Sequence, residues 1–284
     1  MVALDEYRGG KTAWCPGCGN FGILLAVKKA LVKLEKKPKE VLIVSGIGQA
    51  GKLPHYMKCN TFNGLHGRTL PPATGAKIAN HDLTVIAVGG DGDTYGEGGN
   101  HLIHAIRRNP DITLIVHNNQ IYGLTKGQAS PTSDLGMKTT VQSHGVVNEP
   151  LNPIAVAVAL NCSFVARGFA GDVEHLSNLI ARAIEHKGFS FVDVLQPCVT
   201  FNKLNTFQWY RDRVYKLEDA GYSPTDRLKA FEKSLEWGER IPLGVVYERA
   251  GPSFEEKMPA LKKGPLFRQE FDASRLNDLF EEFM

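Results

Sequence analysis

TVIAVGGDGDTYGEGGNHLIHAIRRNPDITLIVHNNQ (84–120) is the stretch whose reading decides the fold. TVIAV (84–88) is a short apolar run rich in β-branched residues and reads as a buried strand. TLIVH (113–117) reads as the next one. Over 98–109, Leu102, Ile103 and Ile106 recur at helical spacing, and Pro110 stops the helix. A strand–helix–strand unit makes its two strands parallel, so their carboxyl ends share one rim of the sheet. Asp91 follows the first strand and Asn119 the second, 28 residues later. A carboxylate and an amide oxygen then face one crevice, at the rim where open α/β sheets bind ligands.

An acid plus an amide is a hard oxygen donor set. It suits magnesium held jointly with phosphates, not zinc. Gly90 and Gly92 let the backbone come close to a ligand. Alone, Gly90-Asp91-Gly92-Asp93 is a turn and Asn118-Asn119-Gln120 a loop. Together, with a helix of the right length between them, they point to a metal–diphosphate site.

The alternation continues outward from this unit. Asn152-Pro153 reads as an N-cap and first helical position, with a helix to Leu160. A strand over 163–166, an amphipathic helix over 172–187 ended by Gly188, and a strand over 189–195 follow. This β-α-β-α-β order predicts an α/β fold, a mostly parallel sheet flanked by helices. The polar segment 118–150 lacks periodicity. Long loops of this kind in compact domains tend to be functional, and its place beside the metal rim favours that. After about Asn205 the pattern changes, giving a first domain over 1–205 and a C-terminal extension over 206–284. Trp209, Tyr210, Tyr215 and Tyr222 lie there among charges; 225–239 reads as helical, 242–247 as extended, and 252–284 as a charged tail. The extension packs either on its own core or on a partner subunit.

Bulk properties exclude several classes. A length of 284 residues allows one large or two modest domains. Hydrophobic content of 43% and charged content of 22% are ordinary globular values. A net charge of +3, with no basic run or aromatic ladder, gives no footprint for nucleic acid. No apolar stretch approaches the ~20 residues of a membrane span. The start, MVALDEYRGG, lacks the apolar centre of a signal peptide. Five sparse cysteines fit a reducing compartment, the cytoplasm, with thiols used for chemistry or packing.

Three other features bear on chemistry. From 41 to 81 there is no Asp or Glu, yet Lys52, Lys58, Arg68, Lys77 and three histidines occur. These are either solvated charges or a positive crevice for anionic ligands. Gly46-Ile47-Gly48-Gln49-Ala50-Gly51-Lys52 formally matches a dinucleotide fingerprint and nearly a phosphate loop. However, Leu53 stands where the phosphate loop needs Ser or Thr, and no acid follows to bind a ribose. Nucleotide binding is the weaker reading. Cys15-Pro16-Gly17-Cys18 is half a zinc site, a redox pair or half an iron–sulfur site. No second ligand pair at zinc spacing is visible, and 1–14 does not read as the strand that precedes a redox pair.

With WCPGCGNFGIL (14–24), GIGQAGKLPHY (46–56), GLHGR (64–68), LPPATGAKIAN (70–80), NNQIYGLTKGQASPTS (118–133) and QPCVTFN (196–202) beside the opening stretch, residues 12–205 resemble the β subunit of 2-oxoacid:ferredoxin oxidoreductases. The resemblance implies a thiamine-diphosphate-binding fold. Asp91, the Asn119 side chain and the Ile121 carbonyl would hold magnesium. Gly90, Gly92, Asp93, Gly123 and Leu124 would line the cofactor, Ile47, Gly48 and Gln49 would touch the thiamine, and His66 would lie near it. Lys52 and Leu124 would meet the substrate. Cys15, Cys18 and Cys198 would bind a 4Fe-4S cluster, but the family's remaining cysteine position is Gln49 here. Three outcomes are open: Cys59 substitutes, three thiolates suffice with one labile iron, or the cluster is altered or absent. The implied reaction is oxidative decarboxylation of a 2-oxoacid (2-oxoglutarate or pyruvate) to an acyl-coenzyme A, with electrons passed to ferredoxin. Its reverse would fix carbon dioxide. This chain offers no convincing activating glutamate, Glu97 sitting in the metal-side loop, and the resemblance implies that the glutamate comes from the α subunit. Two rival readings are a non-redox thiamine decarboxylase or synthase and a non-catalytic zinc- or nucleotide-binding module.

Overall fold

In the computed structural model, which describes residues 1–270 and 273–284, eight strands form one sheet. In chain order the strands are β1 (Val41–Ser45), β2 (Asn60–Asn63), β3 (Thr84–Gly90), β4 (Thr113–Asn118), a small separate hairpin β5 (Ile121–Tyr122) with β6 (Gln128–Ala129), β7 (Phe164–Phe169), β8 (Ser190–Leu195), β9 (Val214–Lys216) and β10 (Ile241–Glu248). The sheet order is β2-β1-β3-β4-β8-β7-β10-β9. The first six strands run parallel, β10 is antiparallel to β7, and β9 runs parallel to β10. The expected mostly parallel α/β sheet is therefore present.

Helices cover both faces because the strands alternate two apolar sets. Ile86, Val88, Ile115, Val192 and Val194 point to one side, packing on α1 (Asn20–Lys33) and, later in the chain, α5 (Val173–Glu185). Val85, Ala87, Leu114, Val116 and Phe191 point to the other, against α2 (Leu70–Ala79), α3 (Gly99–Arg108) and α4 (Pro153–Ala159). Leu102, Ala105 and Ile106 of α3 are buried. Ile103, expected on the same face, is 42% exposed, because one residue along a helix turns about a quarter of the circle.

Local signals act as read. The Asn152 side chain accepts from the Ala155 amide at 3.0 Å, and Asp172 caps α5 through the His175 amide at 3.1 Å. The helix expected over 225–239 spans only Arg227–Ser234; the chain then turns, which brings Trp237 over the Arg167 guanidinium at 5.5 Å. Strands β9 and β10 and this short helix pack the segment after Asn205 onto the sheet and α4. Within that segment, residues 271 and 272 lie outside the described residues.

Candidate active site

The register of β3 on β4 sets Gly90 beside His117, so Asp91 and Asn119 leave the sheet at the same rim. After Asp91 the chain does not enter a regular helix. Gly92–Glu97 makes a π-type turn before α3, a form often found at functional sites. One cavity opens over this rim. From the β3–β4 unit it is lined by Gly90, Asp91, Gly92, Asp93, Asn119, Ile121, Gly123 and Leu124. The loop after β1 adds Ile47, Gly48 and Gln49, and His66 closes one side. Lys52 is not among the lining residues; it is half-buried in the 3-10 turn Ala50–Tyr56. Ala50, Tyr122 and Thr125 also line the cavity; they stand in the quoted motifs beside Gln49, Ile121 and Leu124 but were not singled out.

Asp91 is 2% exposed, and among the described residues no Lys, Arg or His lies within ion-pair distance of it. Its Oδ2 accepts hydrogen bonds from Ser130 Oγ at 2.5 Å and Thr132 Oγ1 at 2.9 Å. Burial pushes its carboxyl up to about 6, against the lowering effect of those hydroxyls. A buried carboxylate held by neutral donors lacks a counter-charge, and a cation supplies one. The chemistry of the donor set therefore fits magnesium: one carboxylate, the Asn119 amide oxygen and the Ile121 carbonyl, with the remaining positions left to phosphate and water. In this structure Asn119 Oδ1 accepts from the Ile121 amide at 3.1 Å, an Asx turn that keeps the two residues together. Ser130 and Thr132 are site residues that sequence reasoning missed. The SPTS string (130–133) carries them, and only the fold brings it to Asp91.

Asp93 plays a different part from Asp91. Its Oδ1 accepts from the amides of Ile47 (2.9 Å) and Gly67 (2.8 Å), and its Oδ2 accepts from Thr69 Oγ1 (3.0 Å). Burial raises its pKa, opposed by these donors. The carboxylate thus ties the loop after β1 and the loop before α2 to the β3 rim. Gly46 permits this, because a Cβ there would collide with the Asp93 carboxylate. Gly92 is equally confined, since its would-be Cβ would strike the Tyr122 ring. At the cavity mouth His66 Nδ1 lies 3.6 Å from Glu97 Oε2, which also accepts from Tyr122 Oη at 3.1 Å.

The long loop is held from below. Gln120 adopts φ 57°, and its side chain donates to the Thr132 carbonyl at 2.7 Å while accepting from Tyr210 Oη at 3.1 Å. Asn118 Nδ2 donates to Asp193 Oδ1, which also takes the Tyr95 hydroxyl at 2.6 Å.

Cys15, Cys18 and Cys198 line a second cavity, and Gln49, Asn119 and Gly123 belong to the walls of both. Gln196 Nε2 donates to Cys18 Sγ at 3.4 Å, and burial pushes the Cys18 thiol up to about 11. Among the described residues no three His, Cys, Asp or Glu side chains converge on a single metal ion. A polynuclear cluster spreads its ligands more widely than one ion does, and three thiols around one cavity fit that demand in part. Cys59 does not join them. It sits beside Tyr7, whose hydroxyl donates to the Lys36 carbonyl past the far end of α1, whereas Cys18 precedes the start of that helix. Cys162 is buried in the core, as expected of a packing thiol.

The acid-free stretch does not form one positive crevice. Lys77 is buried against Asp111 at 3.0 Å, Lys58 and Arg68 are exposed outside the cavity lining, and only His66 of the basic set lines the cavity. Among the described residues no helix is long and apolar enough to cross a membrane.

Comparison with known proteins agrees with this geometry. A family profile described as "Thiamine pyrophosphate enzyme, C-terminal TPP binding domain" matches residues 19–194. A second profile, for the C-terminal part of the pyruvate ferredoxin oxidoreductase beta chain, matches 198–263. The protein is 51% identical over 247 residues to the 2-oxoacid:ferredoxin oxidoreductase subunit beta of Saccharolobus solfataricus, covering 83% of this chain and 81% of that one. It is 48% identical over 260 residues to the same subunit of a Sulfolobus species, covering 87% and 85%. Its fold superposes with TM-score 0.91 on a solved 2-oxoglutarate:ferredoxin oxidoreductase from Magnetococcus marinus, described with 2-oxoglutarate, coenzyme A and succinyl-CoA bound. That pair is 34% identical, with 98% of this chain and 96% of the other covered.

Proposed function

The chain belongs to the 2-oxoacid:ferredoxin oxidoreductase family as a β subunit, and from that premise we propose that its rim cavity seats thiamine diphosphate through a magnesium ion held by Asp91, Asn119 and the Ile121 carbonyl. The observation that carries this is the buried Asp91 carboxylate, unpaired with any described cation, on the strand tip next to Asn119. Thiamine diphosphate, when bound, supplies a carbanion and an electron sink for releasing carbon dioxide from a 2-oxoacid. The chain's residues supply position and electrostatics. Ser130 and Thr132 aim Asp91; Asp93 fixes the loop carrying Ile47, Gly48 and Gln49; Gly92 gives close backbone approach. Leu124 presents an apolar wall, and His66 stands at the mouth beside Glu97. Lys52 lies outside the lining, in the 3-10 turn that follows Gln49.

The balanced reaction takes a 2-oxoacid, coenzyme A and two oxidised ferredoxins to an acyl-coenzyme A, carbon dioxide, two reduced ferredoxins and a proton. The name of the Magnetococcus protein and its bound molecules support 2-oxoglutarate as one substrate, with pyruvate as the alternative. Cys15, Cys18 and Cys198 would hold an iron–sulfur cluster that passes electrons singly. The five free cysteines support a cytoplasmic setting, where thiols stay reduced. Residues 1–205 would carry the cofactors and 206–284 would brace them.

Among the described residues no glutamate lines the cavity, which supports a division of the active site with an α subunit. The test is a ferredoxin-coupled assay with 2-oxoglutarate, pyruvate and a branched oxoacid, on the chain alone and with its α subunit. The expected result is magnesium-dependent thiamine diphosphate binding by the isolated chain but turnover only with the partner. Full turnover by the isolated chain would refute the division.

A further inference from the structure

The cysteine cavity is lined by three thiols, one fewer than the four cysteines that a four-iron cluster takes. Cys15 and Cys18 reach it from the turn before α1, and Cys198 from the segment after β8. Gln49 lines the same cavity from the loop after β1 and stands on the wall shared with the rim cavity. Its backbone is pinned: the Trp14 indole donates to the Gln49 carbonyl at 2.8 Å, and Trp14 is itself buried against Tyr56 and Phe21. The Gln49 side-chain oxygen is buried and has no hydrogen-bond partner. A buried carbonyl oxygen left unsatisfied is costly, and a cation beside it would satisfy it. The Gln196 amide oxygen nearby is also unpartnered, but that side chain already donates to Cys18 Sγ and to the Pro197 carbonyl.

No fourth thiol reaches this cavity among the described residues. Cys59 lies beside Tyr7 at the other end of α1, and the Cys162 thiol lies in the core within hydrogen-bond distance of the Phe164 and Phe189 carbonyls, either of which can accept its proton.

Resting on the reading that these cysteines hold a four-iron cluster, we infer that Gln49 Oε1 occupies the fourth corner, so that one iron is bound by an amide oxygen and is exchangeable. A neutral oxygen donor holds cluster iron far less firmly than a thiolate. That iron leaves as Fe2+ when the cluster gives up one electron to an added oxidant such as ferricyanide. A three-iron cluster on the three thiolates remains, and added Fe2+ with a reductant reverses the change. The exchangeable corner lies at the wall that Gln49, together with Asn119 and Gly123, shares with the rim cavity.

The test uses the anaerobically purified complex of this chain with its α subunit. Iron and acid-labile sulfide are counted, and low-temperature electron paramagnetic resonance spectra are recorded, before and after titration with ferricyanide. The wild type is expected to lose one iron in four and gain the signal of an oxidised three-iron cluster, erased by Fe2+ and dithionite. Gln49→Cys is expected to keep its full iron under the same treatment, and Cys59→Ser to behave as the wild type. A wild type that resists iron loss as firmly as Gln49→Cys, or a Cys59→Ser variant that loses its cluster, overturns the Gln49 assignment and leaves the cluster reading intact. Absence of iron and sulfide from both wild type and Gln49→Cys overturns the cluster reading itself.

Discussion

Asp91 concentrates the conflict between stability and function at a single residue. Its carboxylate is buried without a counter-charge and held by two hydroxyls. Asp91→Asn keeps the shape and removes the charge. The expected outcome is a cofactor-free protein that melts at higher temperature than wild type, yet shows no magnesium-dependent thiamine diphosphate binding by calorimetry. Unchanged binding in that variant would remove the metal assignment. Ser130→Ala combined with Thr132→Val leaves Asp91 in place but unaimed. Outer-shell partners of a metal ligand typically contribute about 10- to 100-fold in metal affinity. A loss of that size in magnesium titrations is expected, with the secondary structure by circular dichroism unchanged.

At the scale of elements, α3 tests the helical phase. Leu102 is 3% exposed and Ile103 42%, although they are adjacent. Leu102→Ala should cost about 2–5 kcal/mol in urea unfolding, and Ile103→Ala no more than about 0.5 kcal/mol. Equal costs would mean that the helix is rotated from the orientation described. The cap of α4 offers a second check. Asn152 satisfies the Ala155 amide through Oδ1 and donates to the Ser234 carbonyl at 2.8 Å through Nδ2. Asn152→Ala should destabilise by about 1 kcal/mol from the lost cap, and further if the loss of the Ser234 contact loosens the helix Arg227–Ser234.

At the scale of the whole molecule, the segment after Asn205 is part of the sheet and of the site's support. Strand β10 buries Leu243, Val245, Val246 and Tyr247, and Tyr210 donates to the Gln120 side chain that shapes the loop after Asn119. Asn205 and Trp237 both donate to Asp134, which anchors that loop. Full burial of each such apolar side chain is worth about 1.5–3 kcal/mol, so losing four removes an amount comparable to the ~5–15 kcal/mol stability of a typical domain. A chain ending at 205 is therefore expected to be insoluble or molten, without a cooperative thermal transition. A folded, thiamine-binding fragment would show that the extension is a separable module.

The β3–α3–β4 unit was legible in the sequence because its signals are short-ranged. Apolar runs, Pro110 after the helix and the glycines around Asp91 act within a few residues, and parallel pairing then follows from connection length. Asp91 and Asn119 on one rim are a consequence of that rule, and the N-caps Asn152 and Asp172 were readable for the same reason. Other features depended on packing between distant segments. The sequence offered Cys59 as a ligand by residue type alone, and only the fold sends it to the opposite end of α1. It hinted at one positive crevice over 41–81, whereas Lys77 turns inward to Asp111. The contacts of Ser130 and Thr132 with Asp91, Tyr210 beneath Gln120 and the wall that Gln49 shares between two cavities were decided by tertiary structure. Each joins residues whose separation along the chain carries no periodic or turn signal, and the chain's compaction brings them into contact.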